Sequence, residues 1–156
     1  MSFSLTSPVT GGAQTGFTSP TYTLATDTAP TSSGKQYAVS AIGGTQAGVD
    51  SSSSPSRPFT ITLSRPTILR SAPAVNAVTG LLGNVPNNIY SVLARKGVTV
   101  VSGQTPRIAS ARLEITIPAG ADVADPANCR ALLSLLHGAI AQISASIGDT
   151  VVTGVI

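Results

Sequence analysis

The sequence predicts an α+β fold, with an antiparallel sheet first and helix after it. Three observations predict it. Residues 59–64 (FTITLS) and 108–117 alternate apolar and polar side chains, the period of a strand with one oily face. From Pro126 to Ile147, apolar residues recur at three- and four-residue steps, the period of a helix. All of the helix lies after all of the strands, an order that sets helices on one side of a sheet rather than between parallel strands. The 156 residues are expected to form one domain, 1–156.

Taken in order, residues 1–56 are rich in Ser, Thr, Gly and Pro. Short strands are expected at Phe3 to Leu5, Tyr22 to Ala25 and Gln36 to Ile42, separated by the turns TGGAQTG, TAPTSSGK and IGGTQAG. DSSSSPSRP (50–58) reads as a flexible connector. In the strand 59–64, Phe59, Ile61 and Leu63 share one face, and Thr60, Thr62 and Ser64 the other. Residues 66–86, with Pro66, Pro73, Pro86, Gly80 and Gly83, form a long excursion, in which VNAVTGLL is a short helical turn or a strand. Residues 87–101 read as a strand interrupted at Gly97, and SGQTPR (102–107) as a loop. The strand 108–117 ends at Pro118.

The helix has a start signal: Asp125 can accept from the first free N–H groups, and Pro126 suits the first helical position. Leu132, Leu136, Ala139, Ile140, Ile143 and Ile147 make its apolar stripe, and Leu133 and Leu135 widen it. Gly148 is the expected stop, which makes a helix about 33 Å long at ~1.5 Å per residue. Gly138 offers a site for a kink or a close helix crossing, or is merely tolerated mid-helix. The apolar tail, with Val151, Val152, Val155 and Ile156, is expected to pack on something. The sum is about six strands and then helix.

Composition narrows the function. Only 10% of residues are charged, against about a quarter in ordinary domains. Either copies of the chain cover much of its surface, or it is a Ser/Thr-rich β domain. Net charge is +3, but between Arg57 and Arg130 eight basic residues face three acids, a net of +5. That bias is compatible with a polyanion partner. Cys129, the one cysteine, excludes an internal disulfide and a cysteine-metal cluster. A small buried hydrophobe is its plain role; an intersubunit bridge or a reactive thiol are the others. The N-terminus lacks a signal-peptide pattern, and no apolar run reaches the ~20 residues of a membrane helix. The expectation is a soluble protein made in a cytoplasm.

Catalysis finds little to work with. His137 is the one histidine, mid-helix, and no G-x-S-x-G elbow surrounds a serine. One histidine and six scattered acids make no metal site. No phosphate-cradling glycine motif is present. Arg112 and Glu114 share a strand face and read as a salt link rather than a catalytic pair. No enzyme and no cofactor are expected. What remains is a sheet with an apolar face that needs a cover and a polar face that is either solvated or a platform of hydroxyls and arginines suited to RNA.

The stretches LEITIPAGADVADPANCRALLSLLHGAIAQ and YSVLARKGVTVVSGQTPRIASARLEITIP, in this order, resemble the coat proteins of single-stranded RNA bacteriophages, the leviviruses. The likeness is strongest over residues 87–156. It implies an N-terminal hairpin plus an antiparallel sheet of about five strands, C-terminal helices, and an intertwined dimer in which two sheets join edge to edge and each subunit's helices cover its partner's sheet. It implies that dimers build an icosahedral shell around the RNA genome in the host cytoplasm. In some members the polar face also binds an RNA hairpin and represses replicase translation. Carried over by position, the RNA-facing residues are Thr60, Thr62, Ser64, Asn87, Ser91, Arg95, Ser110 and Arg112, and residues 97–107 form the loop at the shell's symmetry axes. Two features depart from the family: fewer basic residues face RNA, and Ser110 stands where some members have a base-stacking aromatic. Arg57, Arg65, Arg95, Lys96 and Arg112 are expected to neutralise RNA charge. The alternative at this point is a secreted or surface β-domain, an adhesin or fibre module.

Overall fold

The computed structural model describes residues 3–156. Its elements are β1 (Val9–Thr10), β2 (Phe17–Asp27), β3 (Gly34–Gln46), β4 (Phe59–Ser64), β5 (Asn87–Val98), β6 (Arg107–Pro118), α1 (Ala121–Ala124), α2 (Pro126–Gln142) and α3 (Ser144–Thr153). The strands form one sheet in chain order, β1 to β6, with every neighbouring pair antiparallel. The α+β expectation holds, and β4 spans the predicted residues. β5 runs through Gly97 without interruption and ends at Val98.

Three local expectations are corrected. Phe3 to Leu5 are not a strand: pairing on β2 begins at Val9, and at Ser7 the side chain rather than the backbone takes the Leu24 N–H, at 2.8 Å. IGGTQAG is not a turn, because β3 continues to Gln46. There β2 bulges between Thr18 and Thr21, and Gly44 at φ 73° lets the strands close; a Cβ on it would lie 2.2 Å from the Ser19 carbonyl oxygen. The connector 50–58 is tied down rather than flexible. Arg57 pairs with Asp50 at 3.1 Å, Ser54 bridges Arg57, Ser53 caps the Phe59 N–H, and the Lys96 ammonium donates to the Asp50 carbonyl. In the excursion, Val75 and Leu82 bridge across a turn at Asn76.

The long helix is in fact two. Asp125 and Pro126 start α2 as expected, with Asp125 accepting from the Asn128 N–H at 3.3 Å. The break falls at Ile143, not Gly138, and α3 leaves at 59°. The turn between β1 and β2 holds that corner: Gln14 donates to the Ser144 carbonyl at 2.7 Å, and Ser144 donates to the Ala13 carbonyl at 2.9 Å. Gly148 is no stop. It lies inside α3, where a Cβ would fall 1.9 Å from the Gln14 amide oxygen, and the helix ends at Gly154 in the left-handed conformation. No single helix is long and apolar enough to cross a membrane.

Burial is sparse. Among the described residues only Val39, Leu63 and Ala119 are buried hydrophobics, and neither α2 nor α3 buries any residue. The tail residues Val151, Val152 and Val155 are exposed, so among the described residues nothing covers them. The chain exposes 10627 Å². A compact fold of 15.6 kDa exposes roughly 7,200 Å².

Candidate nucleic-acid interface

Antiparallel register decides which side chains share a face, since directly opposed residues point the same way. Thr60 opposes Arg95, which opposes Ser110; Thr62 opposes Leu93, which opposes Arg112; Ser64 opposes Ser91, which opposes Glu114. Asn87 lies on the same parity of β5. The eight residues read from the sequence as one face therefore do lie on one face, together with Gln36 and Ala38 of β3 and Asp27 of β2.

The centre of this face is a closed polar network. Gln36 donates to Asp27 at 2.7 Å, and its amide oxygen accepts from Thr62 at 2.8 Å and from Arg95 at 3.1 Å. Arg95 also donates to the Thr60 hydroxyl at 3.3 Å. The Gln36 hydrogen bond, the Thr28 N–H and the Arg95 charge hold the Asp27 carboxyl below its ordinary pKa. A hollow of about 490 Å³ opens above the network, between Arg95, Thr60, Ile108 and the connector at Ser53 and Ser54. Thr60 and Thr62 are only 6% and 5% exposed. Their hydroxyls face the platform but serve Arg95 and Gln36, so they hold other groups in place rather than presenting themselves. Asn87, Ser110 and Arg112 are open to solvent, while Ser64, Ser91 and Arg95 are half-buried.

Asp27 and Gln36 escaped the sequence reading. The signal was present: extending the period-two pattern backward from Thr62 through a β2–β3 hairpin puts both on the polar face. Ile89 and Leu93 also lie on it, so the platform is less polar than its serines and threonines suggest.

The positive charge is less than the sequence promised. Arg112 pairs with Glu114 at 3.0 Å, and Arg95 shares Gln36 with Asp27. Lys96 lies on the opposite, apolar face, 4.0 Å over the Phe59 ring. Burial there lowers its pKa. Arg57 is engaged by Asp50 and by the Thr99 hydroxyl at 3.3 Å. Lys96 and Arg57 therefore do not add charge to the platform. His137 is exposed on α2, and no group of three or more His, Cys, Asp or Glu side chains could hold a metal among the described residues.

The apolar face is a second surface, and it lies open. Tyr22 meets Phe59 edge-on at 5.7 Å, and with Leu24, Val39 and Ile61 they line a groove of about 320 Å³. Tyr90, Ile115 and Ile117 border another, of about 360 Å³, with Cys129 and Leu133 of α2. Among the described residues, the outer edge of β6 is unpaired over its 12 residues.

No protein-family model and no curated protein matches the chain. Among solved structures, it is similar to the virus-like particle of bacteriophage ESE020: 50% identity over 99% of this chain and 100% of that one, with a TM-score of 0.95. A more distant likeness is to the virus-like particle of Wenzhou levi-like virus 4, at 16% identity and a TM-score of 0.44, covering 85% of this chain and 74% of that one.

Proposed function

The chain belongs to the coat proteins of single-stranded RNA bacteriophages, a structural and non-enzymatic family, and from that premise we propose how it builds and fills its shell. It is a capsid protein whose copies assemble into the shell of a virion. The finer reading is a single-domain subunit that first forms an intertwined homodimer, assembles in the bacterial host's cytoplasm, and encloses single-stranded RNA against its polar sheet face.

The observation that carries the dimer is uncovered apolar surface next to an unpaired strand edge. A free 12-residue edge such as β6 invites a second sheet. Pairing β6 with its copy doubles the sheet and brings each apolar groove under the partner's α2 and α3, whose Leu132, Leu135, Ile140 and Ile147 are exposed by 43% or more. The secreted β-domain reading supplies no cover for these helices.

For RNA, the support is the platform itself. Arg95 is aimed and half-buried, Arg112 and Ser110 stand open beside it, and Asn87 and Ser91 extend the row. Both arginines have acidic neighbours, so hydrogen bonds from hydroxyl, amide and guanidinium groups contribute more than bulk charge. Recognition of an operator hairpin, with repression of replicase translation, would use this same surface. The test is electron microscopy of particles expressed in bacteria, with the ultraviolet absorbance ratio of the same fraction. Shells rich in nucleic acid are expected. Shells free of it overturn the packaging role, and a nucleic-acid-free monomer overturns the dimer as well.

A further inference from the structure

We propose that the hairpin at the tip of residues 66–86 is a contact between neighbouring dimers of the shell, its occupant a second copy of this chain. The inference rests on shell assembly and on the dimer reading above.

The segment is anchored at its base. Asn88, 4% exposed, accepts from the Arg70 N–H at 2.9 Å and donates to the Arg70 carbonyl at 3.0 Å. The Pro86 carbonyl accepts from the Ala119 N–H at 2.8 Å. The tip is also built. Asn76 accepts through its side chain from Val78 and Thr79, accepts through its carbonyl from Gly80 at 2.8 Å, and donates its N–H to the Leu81 carbonyl at 2.9 Å. Such turn chemistry fixes one shape.

That fixed shape presents apolar side chains to water: Val78 at 94% exposure and Leu81 at 68%, flanked by Val75 and Leu82. Residues 71–86 carry no charge. An ordered, uncharged, apolar protrusion is the mark of a protein contact rather than of a solvated loop. It springs from between β4 and β5 and leaves the sheet at the end opposite the β5–β6 loop; its base rests on Ala119 and Gly120, just past the end of β6, while the apolar tip at Val78 and Leu81 touches no strand edge of its own chain among the described residues.

Area points to a second interface. The chain exposes roughly 3,400 Å² more than a compact fold of its mass. A large obligate dimer takes about 1,000–2,500 Å² from each chain. The remainder is surface that further copies in the shell can cover, and this tip is its most exposed apolar part outside the helices and their tail.

The experiment is the double variant V78D/L81D in the full chain. It is expected to give dimers by analytical ultracentrifugation and no shells by electron microscopy; shells of wild-type size and thermal stability overturn the proposal. If that variant fails to fold, V78C in a C129S background decides. Its thiol is expected to react with iodoacetamide about tenfold more slowly in shells than in dissociated dimers, as for a site buried in most of the population. Equal rates overturn the proposal, and the tip then serves a partner other than the shell. Wild-type shells that lack RNA would sink the packaging role and leave this contact untouched.

Discussion

The two faces of this sheet are finished to different degrees. On the polar face, Asp27, Gln36, Thr60, Thr62 and Arg95 satisfy one another within the chain. On the apolar face, Phe59, Ile61 and Tyr22 line an open groove, and two helices stand beside the sheet with no buried residue. The difference follows from the forces involved. Hydrogen bonds are short and pairwise, so five side chains on four strands can close a network by themselves. Hydrophobic stabilisation scales with area removed from water, and one sheet with two slender helices cannot remove enough. The polar network closes within one chain; the apolar face does not, and on the dimer reading a second copy completes it.

The largest effect is expected where that incompleteness is made permanent. L132D/L135D puts carboxylates on the exposed stripe of α2, where a partner's sheet would have to bury them. Particle yield should fall to background, with the chain eluting as monomer or aggregate. Wild-type yield would mean that α2 covers nothing, and the contrast between the faces would lose its basis.

A next, smaller effect tests the closed face. Q36L removes the group that Asp27, Thr62 and Arg95 share, stranding several polar partners at once. Loss of about 1–3 kcal/mol is expected, as for a buried polar partner left unsatisfied, read as a lowered melting temperature of dissociated dimers. An unchanged melt would show that the network is not a structural unit. R112A is milder still. Its pair with Glu114 is a surface pair of little structural worth, so dimers and shells should persist while RNA affinity falls. If Arg112 touches phosphate, the slope of log affinity against log salt should drop by about 0.7, the single-strand value for one contact. An unchanged slope would remove it from the interface.

Much of this was legible in sequence because period-two patterns are local. FTITLS and 108–117 gave both faces of β4 and β6, and the polar set they implied stayed together once registers were known. Asp125 and Pro126 marked the start of α2 for the same reason, since a cap depends on three or four residues. What failed depended on distant partners. The bend at Ile143 is set by Gln14 and Ala13, and the role of Gly148 by the same Gln14, more than a hundred residues away. The extension of β3 through Gly44 required a bulge on β2 that nothing near Gly44 announces. The charge of Lys96 is visible in sequence but its face is not; register with Phe59 puts it on the side away from the platform.

The smallest expected effect concerns acid. Two carboxylates hold their protons less tightly in the folded chain than in the unfolded one. Asp27 is held by Gln36, then the Thr28 N–H, and less by Arg95; Asp50 by the Ser52 N–H and hydroxyl, and less by Arg57 and Lys96. A group whose folded pKa is depressed adds stability that is complete above its unfolded pKa and vanishes as pH falls through the folded one. Dimers should therefore melt at constant temperature from neutrality down to about pH 5 and lose stability below about pH 4, the ordinary carboxylate range. Because Asp27 belongs to the polar network and Asp50 to the tied-down connector, D27N should flatten that decline partly and D27N/D50N further. Asp27 is exposed and Asp50 only half-buried, so the slope is shallow and best read at low salt. A decline as steep in D27N/D50N as in the wild type would assign the acid sensitivity to other carboxylates and leave the network's stability resting on Gln36 and the threonines alone.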